Sequence, residues 1–389
     1  MCLVALAAWM AIQLIPLPPS IWTSLPGRDV IASLGEVTGM GDIWRPLTFS
    51  PMKTANSLAS LVVPVAGLMV LALLDDSGWR RLPWVFMVAG LGSALFSVAQ
   101  IILPGATGLY LYEITNADSA VGLFSNRNHN ALFLSVALLF CVIRLEQVSR
   151  KQYTPADLVA AVIALTIFAA LLVNASRTGL AGLGLVGLIF GVRAILQWRA
   201  ASARGENGGV RLLFGMAVGA ASLALIGLFA AMGRSPAIER LIAHDAAEDQ
   251  RLRSLPYVLD MLREFQPFGV GFGAFEQAFR TVEPESLLTP RYLNNAHNDW
   301  LQWPIEGGLP AIALLVVALF LIVRQVIRIA RNQSGQAEMV SNAWLGILTV
   351  GIFALGSLID YPLRTPSLML LGAAALAMIF KPIANGMKG

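Results

Sequence analysis

Apolar residues come in long blocks separated by short polar stretches, and ten blocks approach the roughly 20 residues that a helix needs to cross the hydrocarbon layer. They are Cys2–Leu17, Asn56–Leu74, Pro83–Leu103, Asn130–Gln147, Ala156–Val173, Gly179–Trp198, Leu212–Met232, Ile305–Val326, Ala343–Ile359 and Pro366–Phe380. Proline and glycine occur inside several of them, which a membrane helix tolerates when neighbouring helices satisfy the freed backbone groups. The first block begins at Met1 without a flanking charge. A signal peptide would carry a basic segment ahead of the apolar run, so a genuine span is expected, with further spans upstream that this chain lacks.

The connections alternate in charge. Arg80 and Arg81, Arg144 with Arg150 and Lys151, the group Arg193, Arg199, Arg204 and Arg211, the group Arg324, Arg328 and Arg331, and Lys381 with Lys388 all fall on one side. The short connections opposite hold Arg177 and Arg364. The positive-inside rule makes the first side cytoplasmic and puts both termini there.

Three outward loops are longer. Pro18–Ala55 contains Trp22 and Trp44, suited to the membrane interface. Pro104–His129 ends in Ser125-Asn126-Arg127-Asn128-His129. Gly233–Pro304 holds seven arginines and ten acidic residues, too polar to enter the bilayer. In its middle, Leu252, Leu255, Val258, Leu259, Leu262 and Phe265 repeat at helical spacing, and Phe272, Phe275 and Phe279 continue the pattern after a glycine-rich break. This loop, 233–304, is expected to form a partly helical cap over an active site.

Composition agrees with the pattern. Of 389 residues, 57% are hydrophobic and 13% charged, and the mean hydropathy is +0.69. A soluble domain carries about a quarter charged residues, so a soluble enzyme, a disordered scaffold and a coiled coil are excluded. The expected fold is all-α: a polytopic integral membrane helix bundle of about ten transmembrane helices, with residues 1–389 as a single membrane domain. The net charge of +4 and pI near 9.3 come from dispersed residues rather than a nucleic-acid patch. Two cysteines, Cys2 and Cys141, give no disulfide framework. The three separated histidines give no metal cluster, so neither metal nor cofactor is expected.

A charge at a helix centre in the bilayer costs roughly 2.5–3.5 kcal/mol on insertion scales, so boundary charges need a reason. Arg177, in Asn174-Ala175-Ser176-Arg177-Thr178-Gly179, breaks the local charge bias. It either snorkels to the surface or presents its planar fork of donors to a phosphate or diphosphate. Arg251 and Arg253 precede Pro256. A helix starting near Ser254 would put both beside free N–H groups, a ready anion site. A start near Asp249 would kink at Pro256 instead and leave the arginines on a solvated face with Glu248 and Asp249.

Before the eighth block, His297 stands among Asn298, Asp299, Trp300, Trp303 and Glu306. An imidazole with an ordinary pKa of about 6.5 accepts a proton near neutrality, and the tryptophans could anchor at headgroups or stack on a sugar. A structural histidine is the plainer alternative. His129 reads as a cap or hydrogen-bond partner at a span start and His244 as a solvated residue. Gly269-Val-Gly-Phe-Gly273 has no preceding strand, so a tight turn fits it better than a nucleotide loop. Gly182, Gly184, Gly187 and Gly191 point to close helix approach.

Five pieces, in order, resemble the O-antigen ligase-like superfamily (the Wzy_C group) of bacterial membrane glycosyltransferases, which includes O-antigen ligases and exopolysaccharide polymerases. They are Phe124-Ser-Asn-Arg-Asn-His129; Ser176-Arg-Thr-Gly179; Arg251 followed by Pro267-Phe-Gly-Val-Gly-Phe-Gly-Ala-Phe275; Ala296-His-Asn-Asp-Trp-Leu-Gln302 with Glu306-Gly-Gly308; and Asp360-Tyr-Pro-Leu-Arg364. The resemblance implies a multi-pass bacterial inner-membrane protein whose active site faces the periplasm. The donor would be a glycan on undecaprenyl diphosphate, and the acceptor a glycan or lipid A-core. Transfer would be metal-independent and inverting. Arg177 and Arg251, with Arg253 as a substitute, would hold the diphosphate, and His297 would activate the acceptor hydroxyl. Arg127, Asn298, Asp299, Glu306 and Arg364 are further candidates for substrate contact. Leu255 stands where the family often has an aromatic, which leaves the register of Arg251 against Arg253 open. Polymerase and ligase share this chemistry, and the Asn-Arg-Asn-His and Asp-Tyr-Pro-Leu-Arg pieces lean toward a polymerase. Competing readings are a glycolipid transporter or flippase, which would show an internal repeat and midplane charges, and a protein O-oligosaccharyltransferase using the same donor.

Overall fold

In the computed structural model, residues 1–103, 107–116, 119–146, 154–174, 176–203, 219–220, 246–288, 292–331 and 337–381 are described. All of the expected span Leu212–Met232 but residues 219–220, together with His244 and the start of the 233–304 loop, lies outside them. Among the described residues, six helical stretches are long and apolar enough to cross a membrane: Pro51–Ala72, Asp76–Ile102, Arg127–Glu146, Pro155–Asn174, Thr178–Arg199 and Asp299–Arg331. Cys2–Ile12, Asn342–Gly356 and Pro366–Phe380 are shorter apolar helices. These nine match nine of the ten expected blocks. The first block is shorter than expected: helix α1 ends at Ile12, and Pro16–Leu17 (β1) pairs antiparallel with Arg45–Pro46 (β2). Eleven helical residues rise only about 16 Å. The chain is an all-α polytopic membrane protein.

The chain divides into two compact units. One comprises Ala72–His244 and Leu348–Gly356. Its helices α6 (Asp76–Ile102), α7 (Arg127–Glu146), α8 (Pro155–Asn174) and α9 (Arg177–Ser202) run up and down in sequence. Helix α7 is the centre: 78% of its apolar window is buried, against 33–39% for the other three. Small residues let the backbones close on it. A Cβ on Gly90 would lie 2.5 Å from that of Ala137, and one on Gly182 would lie 2.0 Å from the Ser135 hydroxyl. Gly182 thus makes the close approach expected of it. At one end, Arg144 pairs with Asp157 at 2.8 Å and Arg193 with Glu146 at 2.7 Å. At the other end, buried amides hold the connections. Gln100 bonds both the N–H and the C=O of Gly122, and Asn130 takes Ser93, Ser97 and the Ala120 carbonyl.

The other unit comprises Met1–Leu71, Asp245–Ile347 and Ser357–Gly389. Its axis is α12 (Asp299–Arg331), which breaks at Gly308, where φ is 63° and ψ −159°. Pro310 has no N–H to continue the ladder. The break orphans four carbonyls, which in a membrane protein must be satisfied from within. The Gln266 side chain takes Pro304 O, Val270 N–H takes Ile305 O, Gly271 N–H and the Gln13 amide take Glu306 O, and the Trp9 indole takes Gly307 O. The 269–273 glycine run is therefore a clasp on the broken helix. Its three glycines have φ of 75°, 96° and 80°, a region closed to most side chains. A Cβ on Gly271 would lie 2.0 Å from Thr48 Oγ1 and 2.8 Å from Thr48 Cα. Gly271→Ala is expected to cost at least about 2 kcal/mol from the backbone alone, read as a lowered melting temperature in detergent.

Packed beside the clasp are α10 (Ala246–Glu264) and α11 (Phe275–Val282). Val258, Met261, Phe265, Phe275, Phe279 and Ile305 form one buried cluster. The stripe predicted from sequence is only partly the buried one, since Leu252, Leu255 and Leu259 are exposed. Met261, on the true inner face, replaces them. Trp22 also departs from its expected interfacial place. It is buried and donates its indole N–H to Ile43 O at 3.0 Å, while Trp44 is exposed. Arg28 is buried over the Phe49 ring, 3.9 Å from its centroid, and donates to Leu47 O. Desolvation pushes its guanidinium down to about 10.

Candidate active site

In the second of these units, the segment before α12 carries the densest polar chemistry. Asn298 caps the helix: its side-chain oxygen accepts from Leu301 N–H at 3.2 Å and satisfies one of the free donors of the first turn. Directly before it, His297 adopts φ of 50°, a conformation unusual for a non-glycine residue and one that costs free energy wherever it persists. That turn aims the imidazole at the 360–364 segment. Nδ1 lies 3.6 Å from Asp360 Oδ1, and the ring lies 5.0 Å from that of Tyr361. Asp360 is wholly buried while the His297 side chain keeps 11% exposure, so the imidazole sits at the rim and the carboxylate behind it. The Tyr361 N–H fixes Asp360 Oδ1 at 2.9 Å.

Asp299, the first residue of α12, and Glu306, two turns further on, share a guanidinium. Arg364 Nε is 2.9 Å from Asp299 Oδ1, and its Nη1 is 3.0 Å from Glu306 Oε2. Burial by itself would lower the Arg364 pKa, but Glu306 and Asp299 outweigh it and hold the group above its ordinary range. Gln302 completes the layer, donating to Glu306 Oε1 at 2.8 Å and Asn295 Oδ1 at 2.9 Å, and accepting from Ala296 N–H at 2.8 Å. The residues flanking His297 on both sides are thereby tied to the helix, so the left-handed turn is held rather than merely visited.

Of the residues singled out from sequence, His297, Asn298, Asp299, Glu306 and Arg364 come together here. Sequence reasoning selected Arg364 from the Asp360-Tyr-Pro-Leu-Arg364 piece and passed over Asp360 and Tyr361, and it did not select Gln302. The usable signal was a lone carboxylate opening a turn between two apolar blocks.

Arg251 and Arg253 lie within α10, whose described residues begin at Ala246 and continue through Pro256. The alternative with a helix start at Ser254, and both arginines at free N–H groups, is not the one adopted. Arg253 is exposed and donates to Ser286 O at 3.0 Å.

Arg127 and Arg177 belong to the unit built around α7. Each is the first residue of its helix, α7 and α9 respectively. Ser176 caps α9, its Oγ accepting from Gly179 N–H at 2.9 Å. Asn174, the last residue of α8, donates to Ala120 O at 2.7 Å and to Arg127 O at 3.1 Å. One buried amide therefore ties the end of α8 to the start of α7. Asn174→Leu removes two hydrogen bonds, each worth about 0.5–1.5 kcal/mol net, while Ala120 O keeps its bond from Asn130, and is expected to cost about 1–3 kcal/mol in thermal unfolding. His129 is buried in the first turn of α7.

A family model described as O-Antigen ligase matches residues 161–316. The match takes in Arg177, Arg251, Arg253, His297, Asn298, Asp299 and Glu306, and ends before Asp360 and Arg364. A search of curated proteins finds no match. The family match and the apolar helices together indicate an integral inner-membrane protein of ligase or polymerase type in glycan biosynthesis, working on a lipid-linked glycan and an acceptor.

Proposed function

Starting from an O-antigen ligase-like chain, we propose that it transfers a glycan from undecaprenyl diphosphate to the hydroxyl of an acceptor sugar, on the periplasmic face of the inner membrane. The observation that carries this reading is the His297–Asp360 arrangement. An imidazole at a rim, in a strained turn locked by Asn298 and Gln302 and backed by a buried carboxylate, is built to take a proton. With Nδ1 turned toward Asp360, Nε2 is the nitrogen assigned to the acceptor. Asp360 is a positioning residue whose carboxylate, 3.6 Å from Nδ1, favours the imidazolium by its charge.

The step balances without a further reactant. The acceptor oxygen forms the new bond to the anomeric carbon as its proton passes to His297. The bond from that carbon to the diphosphate oxygen breaks, and undecaprenyl diphosphate leaves with the electron pair. An in-line displacement inverts the anomeric centre. The departing charge calls for guanidinium groups, the role proposed for Arg177, Arg251 and Arg253, with no metal taking part. Arg127 is a further contact for the donor. Asp299, Glu306 and Arg364 are proposed to act by holding the His297 segment, and Asn298 by capping it.

The test is product formation by purified protein in liposomes given a defined lipid-diphosphate glycan and candidate acceptors. A lengthened glycan marks a polymerase, and a glycan joined to lipid A-core marks a ligase. Donor moved across the bilayer without a new glycosidic bond, or glycan found on protein side chains, would overturn this reading.

A further inference from the structure

Five residues before the His297 turn, Tyr292 is 60% exposed and nonetheless fixed. Leu293, next to it, is buried in the core shared by α10 and α11, while Asn294 is exposed again. The Arg280 guanidinium lies over the tyrosine ring, 5.3 Å from its centroid. Arg280 is held in turn by Glu276, one turn earlier on α11, at 2.6 Å. The other oxygen of that carboxylate takes Lys53 Nζ, from the Pro51–Ser60 helix, also at 2.6 Å. Glu276 itself is buried, so the guanidinium above the ring is anchored to the core rather than to another mobile side chain.

A single exposed aromatic is ordinary on a protein surface. One clamped by a cation that a buried carboxylate anchors serves more than packing. Such a ring has few torsions left to freeze when a ligand arrives. Its negatively polarised face suits the row of carbon-bound hydrogens on a pyranose. Arg280, itself 57% exposed, has donors left for sugar hydroxyls. The path to His297 is fixed as well: Leu293 pins one end of the segment in the core, and Gln302 holds Asn295 and Ala296 at the other. Five residues reach at most about 18 Å, so the ring stands within a few sugar units of the imidazole.

We infer that Tyr292, clamped by Arg280, is a stacking platform for the acceptor glycan at a sugar remote from the reacting one, and that it selects acceptors already several sugars long. The inference rests on the proposed function and adds a specificity-determining residue outside the His297 cluster. A single sugar at the imidazole does not reach the ring, whereas a glycan chain spans both. The immobilised ring and the anchored segment are ordered before the glycan binds, so little of the stacking energy is spent on ordering them.

The acceptor probe is the host cell's own surface polysaccharide, cleaved by mild acid and sized into single sugars and chains of several. With the long fraction, Tyr292→Ala is expected to raise acceptor KM about three- to tenfold at unchanged kcat, with no such rise for single sugars. Tyr292→Phe keeps the ring and should restore the wild-type ratio of the two KM values, and Arg280→Gln, which frees the ring, should fall between. The melting temperature should hold in each variant, because the altered side chains are exposed. An equal rise for both fractions would show that the ring serves the His297 segment instead. An unchanged ratio would show that no sugar stacks there. Either result overturns the inference, and the transfer observed leaves the enzymatic reading intact. Binding without donor supplies a second measurement: saturation-transfer NMR should show the long fraction contacting the wild-type protein and lost from Tyr292→Ala. That pattern in a protein that forms no glycosidic bond would refute the enzymatic reading and leave the glycan subsite.

Discussion

Replacing His297 with alanine is expected to lower glycan transfer by about 10²–10⁴-fold while the protein accumulates and melts as before. The side chain is mostly buried, with 11% exposure, so the melting temperature is measured beside turnover to separate loss of a base from loss of fold. Alanine also relaxes nothing at φ of 50°, so His297→Gly is a useful companion. It should raise stability, because glycine adopts that conformation without penalty, and yet be as inactive as the alanine variant. Asp360→Asn should reduce turnover less than His297→Ala and shift the pH profile, since it removes the charge facing Nδ1 while keeping the shape. Wild-type product levels from His297→Ala, measured with defined donor and acceptor, would remove the imidazole from the mechanism.

The second large effect falls on Arg364, and here the expectation is mainly one of stability. Its guanidinium spans Asp299 and Glu306 at 2.9 and 3.0 Å, and Glu306 has no exposed side-chain surface. Taking away the cation strands a buried carboxylate, which costs about 3–5 kcal/mol. Arg364→Ala should therefore yield poorly folded, aggregation-prone protein. Pairing it with Glu306→Gln should restore part of the loss, because a neutral amide can remain buried with Gln302 as its partner. Arg364→Lys keeps the charge without the fork of donors and should fall between. If Arg364 instead bound the donor diphosphate directly, Arg364→Ala would melt normally and show only a raised donor KM. That result would overturn the clamp.

These residues also show how far the sequence could be read. The apolar blocks were legible because crossing a bilayer imposes a local requirement, a long run with few charges. Nine of the ten appear as helices among the described residues, with ends up to seven residues from the expected bounds. His297, Asp299 and Glu306 were legible because polar groups at the edge of such a run are anomalies by themselves. The face of α10 was not legible. Two apolar stripes share that helix, and only contact with Phe275, Phe279 and Ile305 selects Val258, Met261 and Phe265 over Leu252, Leu255 and Leu259. Trp22 failed for a similar reason. An indole suits an interface or a core equally, and the Ile43 carbonyl decided for the core. The position of Pro256 suggested a helix start near Ser254, but the helix runs through that proline.

The amino-acid order alone determined that this is an all-helical membrane protein and which few polar side chains stand out at its boundaries. Both follow from transfer free energies that act residue by residue along neighbouring positions. Only the tertiary structure decided how those side chains are engaged: Arg364 closed on Asp299 from 65 residues away, and Gln13 capping the broken helix at Glu306 across 293 residues. The same holds for Asp360 behind His297 and for the glycine clasp at the break. Such pairings depend on which distant segments meet and on orphaned polar groups finding partners there, and no local pattern of residues carries that information.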